Sequence, residues 1–264
     1  MDDRPNIVLS PHFDDAVLSL GGLIARTPER TIVATVFAGT PSATAAGRWD
    51  RWSGFATASE AMRARRAENE AALGVVGIPP HGIRNLDFLD RQYRREPGLD
   101  SGLRAQIGAS IRRLVHEHGG AVDLFVPASA WHPDHQLVSD AAFEVVAGGA
   151  CSGSKIFLYQ DQPYAYLELR SRSLAPLKFA DFALLDSVAQ RHKPLIVQRE
   201  FIGLDERDVS LKLQAIRKYA SQFPVIRHLL YKMIRDFSRH QARAAGLGSR
   251  HVEVVYRLVA EMPR

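Results

Sequence analysis

Two short runs of this chain gather the residue types that hydrolytic metal chemistry needs: Ser10-Pro11-His12-Phe13-Asp14-Asp15, and Trp131-His132-Pro133-Asp134-His135. Each sets a histidine three residues from a second ligand-type side chain, His12 with Asp15 and His132 with His135. Residues three apart at the entry to a helix can face the same way, so each run can present paired groups to one point. Two imidazoles and a carboxylate form a competent set for zinc and leave one or two positions open for water. A His-x-x-Asp has a duller explanation too, since an Asp at a helix start often serves only as its N-cap. Asp14 or Asp15 could cap a helix beginning near Ala16, and Pro133 could simply mark a turn. Two clusters in one chain favour the metal, because packing so many ionisable groups together without a cation or a catalytic task costs several kcal/mol per unpaired charge. The single Cys151 excludes an internal disulfide framework and a thiolate cluster, so the ligands must be nitrogen and oxygen.

The surrounding pattern places both runs at the ends of strands. Asn6 to Ser10 and Thr31 to Ala38 are continuous apolar, β-branched segments, as strands buried on both faces require. Helical spacing covers Ala16 to Arg26, Ser59 to Gly77 and Gly102 to His118, the last with Ile107, Ile111, Leu114 and Val115 on one stripe. Asp123 to Pro127 and Lys155 to Gln160 read as further strands, with a helix over Gln136 to Val146 between them. This alternation predicts an α/β fold, a mostly parallel sheet with helices on both faces. Open sheets of this kind build their sites at the carboxyl ends of strands, where both clusters fall. Beyond residue 166 the pattern loosens: helices over about 205–222 and from Pro224 to about Ala245, then a strand from His251 to Ala260, expected as a C-terminal cap or extra layer. The expected organisation is one domain, with a core of about 6–165 and an extension of about 166–264.

With 264 residues and a formal charge of only +5, whose basic residues are scattered, the chain gives little support for a nucleic-acid partner. No run approaches the roughly 18 apolar residues of a membrane span, and the start lacks the apolar core of a secretory signal, so a cytoplasmic protein is the expectation.

The two runs resemble the signature motifs of the GlcNAc-phosphatidylinositol de-N-acetylase family, also called PIG-L or LmbE-like deacetylases. Arg65-Arg66-Ala67-Glu68 is similar to the family's Arg-x-x-Glu helix, and Lys212, Ala215, Tyr219, Ser221 and Gln222 to its late Lys-x-x-Ala-x-x-x-Tyr-x-Ser-Gln pattern. The resemblance runs from residue 6 to about 222. It implies a Rossmann-like fold, a divalent metal that is usually zinc (with iron(II) or another divalent ion able to stand in), and removal of acetyl groups from N-acetylated amino sugars. It implies His12, Asp15 and His135 as metal ligands and Asp14 as general base. It further implies His132 as the group that steadies the oxyanion and, when protonated, donates to the leaving amine, with Asp134 orienting it and raising its pKa. Arg65 is the candidate for binding substrate hydroxyls or phosphate; its neighbours Arg63 and Arg66 also suit a plainly solvated helix face. Relatives often self-associate, so a homo-oligomer is a further expectation. The first motif departs from the commoner Pro-His-Pro-Asp-Asp-Glu at Phe13 and Ala16, which removes whatever support the Glu gave the metal site. Asp161-Gln-Pro-Tyr164 is similar to segments in relatives from natural-product pathways.

Tyr219, Ser221 and Gln222 are expected to fix a late helix rather than do chemistry. Trp131, the loops 40–57, 91–100 and 161–175, and Trp49, Trp52 and Phe55 are the candidate substrate rim. The nearer alternative is an amidase of the same fold acting on a non-sugar or thiol-conjugate amide, and two other classes start from the same residues. A two-His-one-carboxylate iron oxygenase is disfavoured by the βαβ pattern. A nucleotide-binding module would need Gly-x-Gly-x-x-Gly after the first strand, where this chain has carboxylates that repel phosphate.

Overall fold

Strand β1 (Asn6–Ser10) is buried along its whole length, with Ile7 and Leu9 in one apolar cluster and Val8 in another on the opposite face. That alternation repeats in β4 (Asp123–Ala128) and β5 (Lys155–Gln160), where Phe125 and Phe157 stack with ring centroids 4.9 Å apart on the second face. Fully burying each Ile, Val, Leu or Phe contributes about 1.5–3 kcal/mol, so a sheet covered on both sides can carry a polar crevice at its edge. The computed structural model describes residues 4–42, 45–94, 100–129, 132–171, 188, 190, 196–222, 227–248 and 250–259. Trp131 and parts of the expected rim lie outside the described residues.

From β1 the chain continues through α1 (Asp15–Arg26), β2 (Thr31–Thr35), α2 (Arg48–Trp52), α3 (Ala58–Val75), β3 (Ile83–Asn85) and α4 (Asp100–Glu117) to β4. Then come α5 (Pro133–Ala147), β5, α6 (Tyr164–Ser171), β6 (Val197–Leu204), α7 (Glu206–Ile216), α8 (Arg227–Ala244) and β7 (His251–Leu258). The sheet order is β3-β2-β1-β4-β5-β7-β6, parallel through its first five strands, with β7 antiparallel to both β5 and β6. The chain steps outward from β1 to β2 and β3, then returns to pair β4 with the other side of β1. The carboxyl ends of β1 and β4 therefore flank the point where strand order reverses, the place where such sheets open a crevice.

The α/β architecture agrees with the sequence reading, and the buried stripe Ile107, Ile111, Leu114 and Val115 lies on α4 as expected. Two differences matter. The helix expected from Gln136 starts at Pro133, because a proline at the first helical position loses no hydrogen bond and brings a preset φ. The tail expected as a cap or extra layer instead supplies two strands that extend the sheet, with Val252, Val254 and Tyr256 facing one core.

Helix α1 breaks its regular geometry at Leu20 (φ −123°, ψ 18°). The amides of Gly22 and Leu23 donate instead to the Glu253 carboxylate, both at 2.8 Å, and Lys212 Nζ pairs with Glu253 at 2.6 Å while donating to the Ser19 carbonyl. Gly21 and Gly22 permit this closeness: a Cβ on them would lie 2.8 Å from Lys212 Cγ and 2.6 Å from Leu204 Cδ2.

Candidate active site

The turn between β1 and α1 is held from several sides. Ser10 Oγ accepts from the Ala16 amide at 3.0 Å and donates to the His12 carbonyl, while the Tyr159 and Tyr219 hydroxyls donate to the Leu9 and Phe13 carbonyls. Asp15 Oδ2 accepts from the His12 amide at 2.6 Å, which folds the Asp15 side chain back toward the His12 ring. Asp14 occupies the N-cap position of α1 but makes no capping hydrogen bond, so its carboxyl is left for other work. Phe13 and Ala16, the two departures from the commoner motif, are buried in the apolar cluster beneath the turn.

At the head of α5, His132 is the N-cap, and its Nδ1 accepts from the Asp134 amide at 3.3 Å. One helical step on, His135 is fully buried and its ring meets that of His12, with centroids 5.0 Å apart. His12 Nδ1 lies 3.1 Å from His135 Nε2, and each of these nitrogens lies 3.3 Å from Asp15 Oδ2. Three donor atoms from two distant segments thus form a nearly equilateral triangle. Tetrahedral zinc with ligands at 2.0–2.1 Å calls for ligand-to-ligand spacings of about 3.3–3.4 Å, so this donor set fits that ion in chemistry and in dimension.

The outward nitrogens of both rings are taken by carboxylates. His135 Nδ1 donates to Asp161 Oδ2 at 2.6 Å, and His12 Nε2 lies 3.3 Å from Asp134 Oδ2. Asp134 is in turn fixed by the Arg91 amide at 3.0 Å and by Arg94. Asp90 stands 3.9 Å from His12 Nε2, and His132 lies with His12 and His135 in one potential ligand group.

The electrostatics call for positive charge at the triangle. Burial works against a charged His12, yet its hydrogen bonds with Asp134 and Asp15 raise its pKa well above the ordinary imidazole value. Burial likewise opposes charge on His135, and Asp15 and Asp161 outweigh it. Asp15, despite its burial, is held below the usual carboxylate range by His135 and His12. Asp134 is held low as well, against burial, chiefly by His12 and Arg94. Asp14 goes the other way, pushed up to about 7 by burial and by the Asp15 charge beside it. Two adjacent carboxyls in one turn thus have opposite proton affinities, the separation that base chemistry requires.

Among the described contacts the Asp134 carboxylate makes no hydrogen bond to the His132 ring, although its charge acts to raise the His132 pKa as expected. The Asp134 carboxylate is turned to His12, Arg94 and the Arg91 amide, and only its backbone touches the His132 ring. Burial, together with repulsion from His12 and His135, lowers the His132 pKa to about 3. With Nδ1 accepting from the Asp134 amide, Nε2 is the nitrogen that His132 has left to offer a substrate.

Arg65 is not on a solvated face. It is 3% exposed, paired through Nη1 with the fully buried Asp50 at 2.8 Å and set beside the Phe55 ring. Asp50 also accepts from the Tyr93 hydroxyl and the Gly47 amide, tying α2 and the 89–94 segment to α3. Arg65 Nε and Nη2 have no hydrogen-bond partner among the described residues. Asp161, Asp50 and Arg94 were not singled out as site groups from sequence. Asp161 carried a usable signal, since it follows β5 just as the two motifs follow β1 and β4. Within the late Lys212-to-Gln222 pattern, the Tyr219 hydroxyl donates to the Phe13 carbonyl, and the Ser221 amide and hydroxyl donate to Glu68 at 2.9 and 2.7 Å.

Comparison with known proteins identifies the family. The GlcNAc-PI de-N-acetylase (PIG-L) family matches residues 7–146, more than half of the chain, and the chain belongs to that family. A 2'-N-acetylparomamine deacetylase of Streptomyces fradiae is 31% identical over 166 residues, 60% of this chain and 57% of that protein, so the match spans little more than half of that relative. A crystal structure of the deacetylase of antimicrobial reagent A40926 pseudoaglycone is 27% identical with a TM-score of 0.74, covering all of both chains. The zinc inhibited form of teicoplanin deacetylase shares the fold, with a TM-score of 0.78 at 23% identity over 97% of this chain and 98% of its own. No described helix is long and apolar enough to cross a membrane.

Proposed function

We propose that this chain is a zinc-dependent hydrolase that removes an N-acetyl group from an amino-sugar-containing glycoconjugate or natural-product intermediate. The observation that carries this reading is the triangle of His12 Nδ1, Asp15 Oδ2 and His135 Nε2, with edges of 3.1, 3.3 and 3.3 Å, at the switch point of the sheet. In this reading those three residues hold the zinc. The amino-sugar substrate class follows from family membership and from the names of the relatives. The whole chain acts as one catalytic domain, in keeping with the C-terminal strands joining the same sheet. A cytoplasmic location is part of the proposal and suits its one free, buried thiol, Cys151.

When bound, zinc polarises the amide carbonyl and lowers the pKa of a water toward ~7. Asp14 takes the proton of the attacking water, a task suited to a carboxyl whose proton affinity sits near neutral pH. The same proton then passes to the amine nitrogen as the carbon–nitrogen bond breaks, giving acetate and a free amine. His132, neutral and with Nδ1 occupied by the Asp134 amide, offers Nε2–H to the oxygen that gains negative charge. Asp134 keeps the His12 ring in place and is itself held by Arg94. Arg65 offers its two unused donor nitrogens, Nε and Nη2, to substrate oxygens; leaving such buried donors unpaired costs about 1–3 kcal/mol each, which a bound hydroxyl or phosphate removes.

The test is acetate release from a panel of N-acetylated aminoglycoside intermediates, glycopeptide glycosides and simple N-acetylhexosamines, with zinc-loaded and chelator-treated protein. Release that depends on zinc from at least one member is expected. No release across the panel from the loaded protein, or release untouched by chelation, would overturn the proposal.

A further inference from the structure

Asp161 has no part in the reaction sequence above, yet its surroundings are those of a built support. It follows directly on β5, the strand beside β4, and is fully buried, as is His135. Its Oδ2 receives His135 Nδ1 at 2.6 Å, one of the shortest polar contacts in the crevice. Its own backbone is anchored on two sides: the Asp161 carbonyl accepts from the Ala165 amide at 2.8 Å, and the neighbouring Gln162 amide donates to Ser19 Oγ of α1 at 3.1 Å. The Tyr164 ring stands edge-on to His135 at 5.4 Å and closes the remaining side.

We propose that Asp161 is the positioning residue for His135, fixing both its tautomer and its ring plane for metal binding. This rests on the zinc reading given above. A neutral imidazole carries one proton on either nitrogen, and only the form protonated at Nδ1 has a lone pair at Nε2. Asp161 accepts at Nδ1 and so holds the proton there. Nε2 is left facing Asp15 Oδ2 and His12 Nδ1 across about 3 Å, an arrangement of lone pairs that a cation between them stabilises. The other ring repeats the scheme, with Asp134 at His12 Nε2. Ala16 stands where the resembled family commonly has Glu, and it lies in an apolar cluster; the carboxylate support in this chain comes from Asp161 and Asp134 instead.

Two variants and one spectroscopic readout test this. Zinc affinity is measured by competition with a chromophoric chelator for wild type, Asp161→Ala and Asp161→Asn, with circular dichroism of each metal-free protein to establish that it is folded. Nitrogen-15 NMR of the imidazoles reports the His135 tautomer in the zinc-loaded wild type. Losing such a support weakens metal binding about 10–100-fold, so Asp161→Ala is expected to fall in that range. Asp161→Asn keeps an oxygen that can accept from Nδ1, and an intermediate loss is expected. The wild-type spectrum is expected to show His135 protonated at Nδ1 and coordinated through Nε2. Wild type that binds zinc tightly while Asp161→Ala binds it equally tightly overturns the role of Asp161 and leaves the zinc reading standing. If Asp161→Ala does not fold, unchanged affinity in Asp161→Asn overturns it in the same way. A His135 coordinated through Nδ1 also overturns it, whatever the variants do. Wild type that binds no zinc overturns both this role and the reading beneath it.

Discussion

Replacing Glu253 with Gln removes the charge that α1, α7 and β7 share. In the native protein its carboxylate pairs with Lys212 Nζ at 2.6 Å and accepts from the Gly22 and Leu23 amides at 2.8 Å, and both side chains are less than a tenth exposed. Glu253→Gln keeps one acceptor oxygen for the two amides and leaves a buried ammonium without its counter-ion. Breaking a buried pair from one side costs about 3–5 kcal/mol, part of it the unsatisfied amide. At about 2–4 °C per kcal/mol for a chain of this size, the melting temperature should fall by about 6–20 °C. The double variant Lys212→Met with Glu253→Gln removes the orphaned charge and should recover a large part of the loss, because well-packed apolar replacements of buried pairs are often close to neutral. Thermal unfolding of the metal-free proteins, followed by circular dichroism, gives both numbers and their coupling. A Glu253→Gln melt that coincides with wild type, or losses that simply add in the double variant, would show that the pair does not hold the break in α1 as described.

Three further outcomes follow from the site and its supports. Asp14→Asn should bind zinc as wild type does while turnover falls about 10²–10⁴-fold, the usual worth of a general base; undiminished turnover would remove Asp14 from that role. Tyr219→Phe deletes the hydroxyl shared by the Phe13 carbonyl and Asn69, and denaturant unfolding should record a loss of about 1–3 kcal/mol, with no loss contradicting the anchoring of the motif turn. His251 has its pKa lowered by burial and by Arg239, whose Nε donates to its Nε2 at 3.2 Å. The folded protein therefore resists protonating it: its contribution to stability is present above pH ~6.5 and is lost as the pH falls below that value. His251→Gln in metal-free protein should soften the decline in stability from pH 7.5 to 5.5, and an equally steep decline in the variant would dismiss the assignment.

How much of this could be read from the chain depended on length and on chemistry. β1, β4 and β5 were legible because strands buried on both faces are continuous apolar runs, and α4 because its apolar stripe has helical spacing. β3 has only three residues, and β6 reads Val-Gln-Arg-Glu-Phe-Ile-Gly-Leu, an edge strand whose charged, exposed positions blur any period. α2, Arg-Trp-Asp-Arg-Trp, is too short for periodicity and looks solvated, although its Asp50 is fully buried. The two motifs were legible because ligand types recur three apart after strands. The direction of Asp134 was not, because Arg94 and the Arg91 amide reach it from a segment about forty residues away that carries no motif of its own. Arg65 sits in a run of arginines that looks uniform in sequence; only the packing of α2 and Tyr93 over α3 separates its buried guanidinium from the exposed Arg63.

On the proposed reading, His12, Asp15 and His135 together hold one zinc ion. Elemental analysis of wild type and Asp15→Ala, each loaded with zinc and then dialysed against a mild chelator, tests it most directly, with circular dichroism confirming that both are folded. The triangle predicts about one zinc per chain in wild type and little or none in folded Asp15→Ala, because two imidazoles alone leave the set one ligand short. Wild type without zinc, or Asp15→Ala retaining a full equivalent, would contradict it.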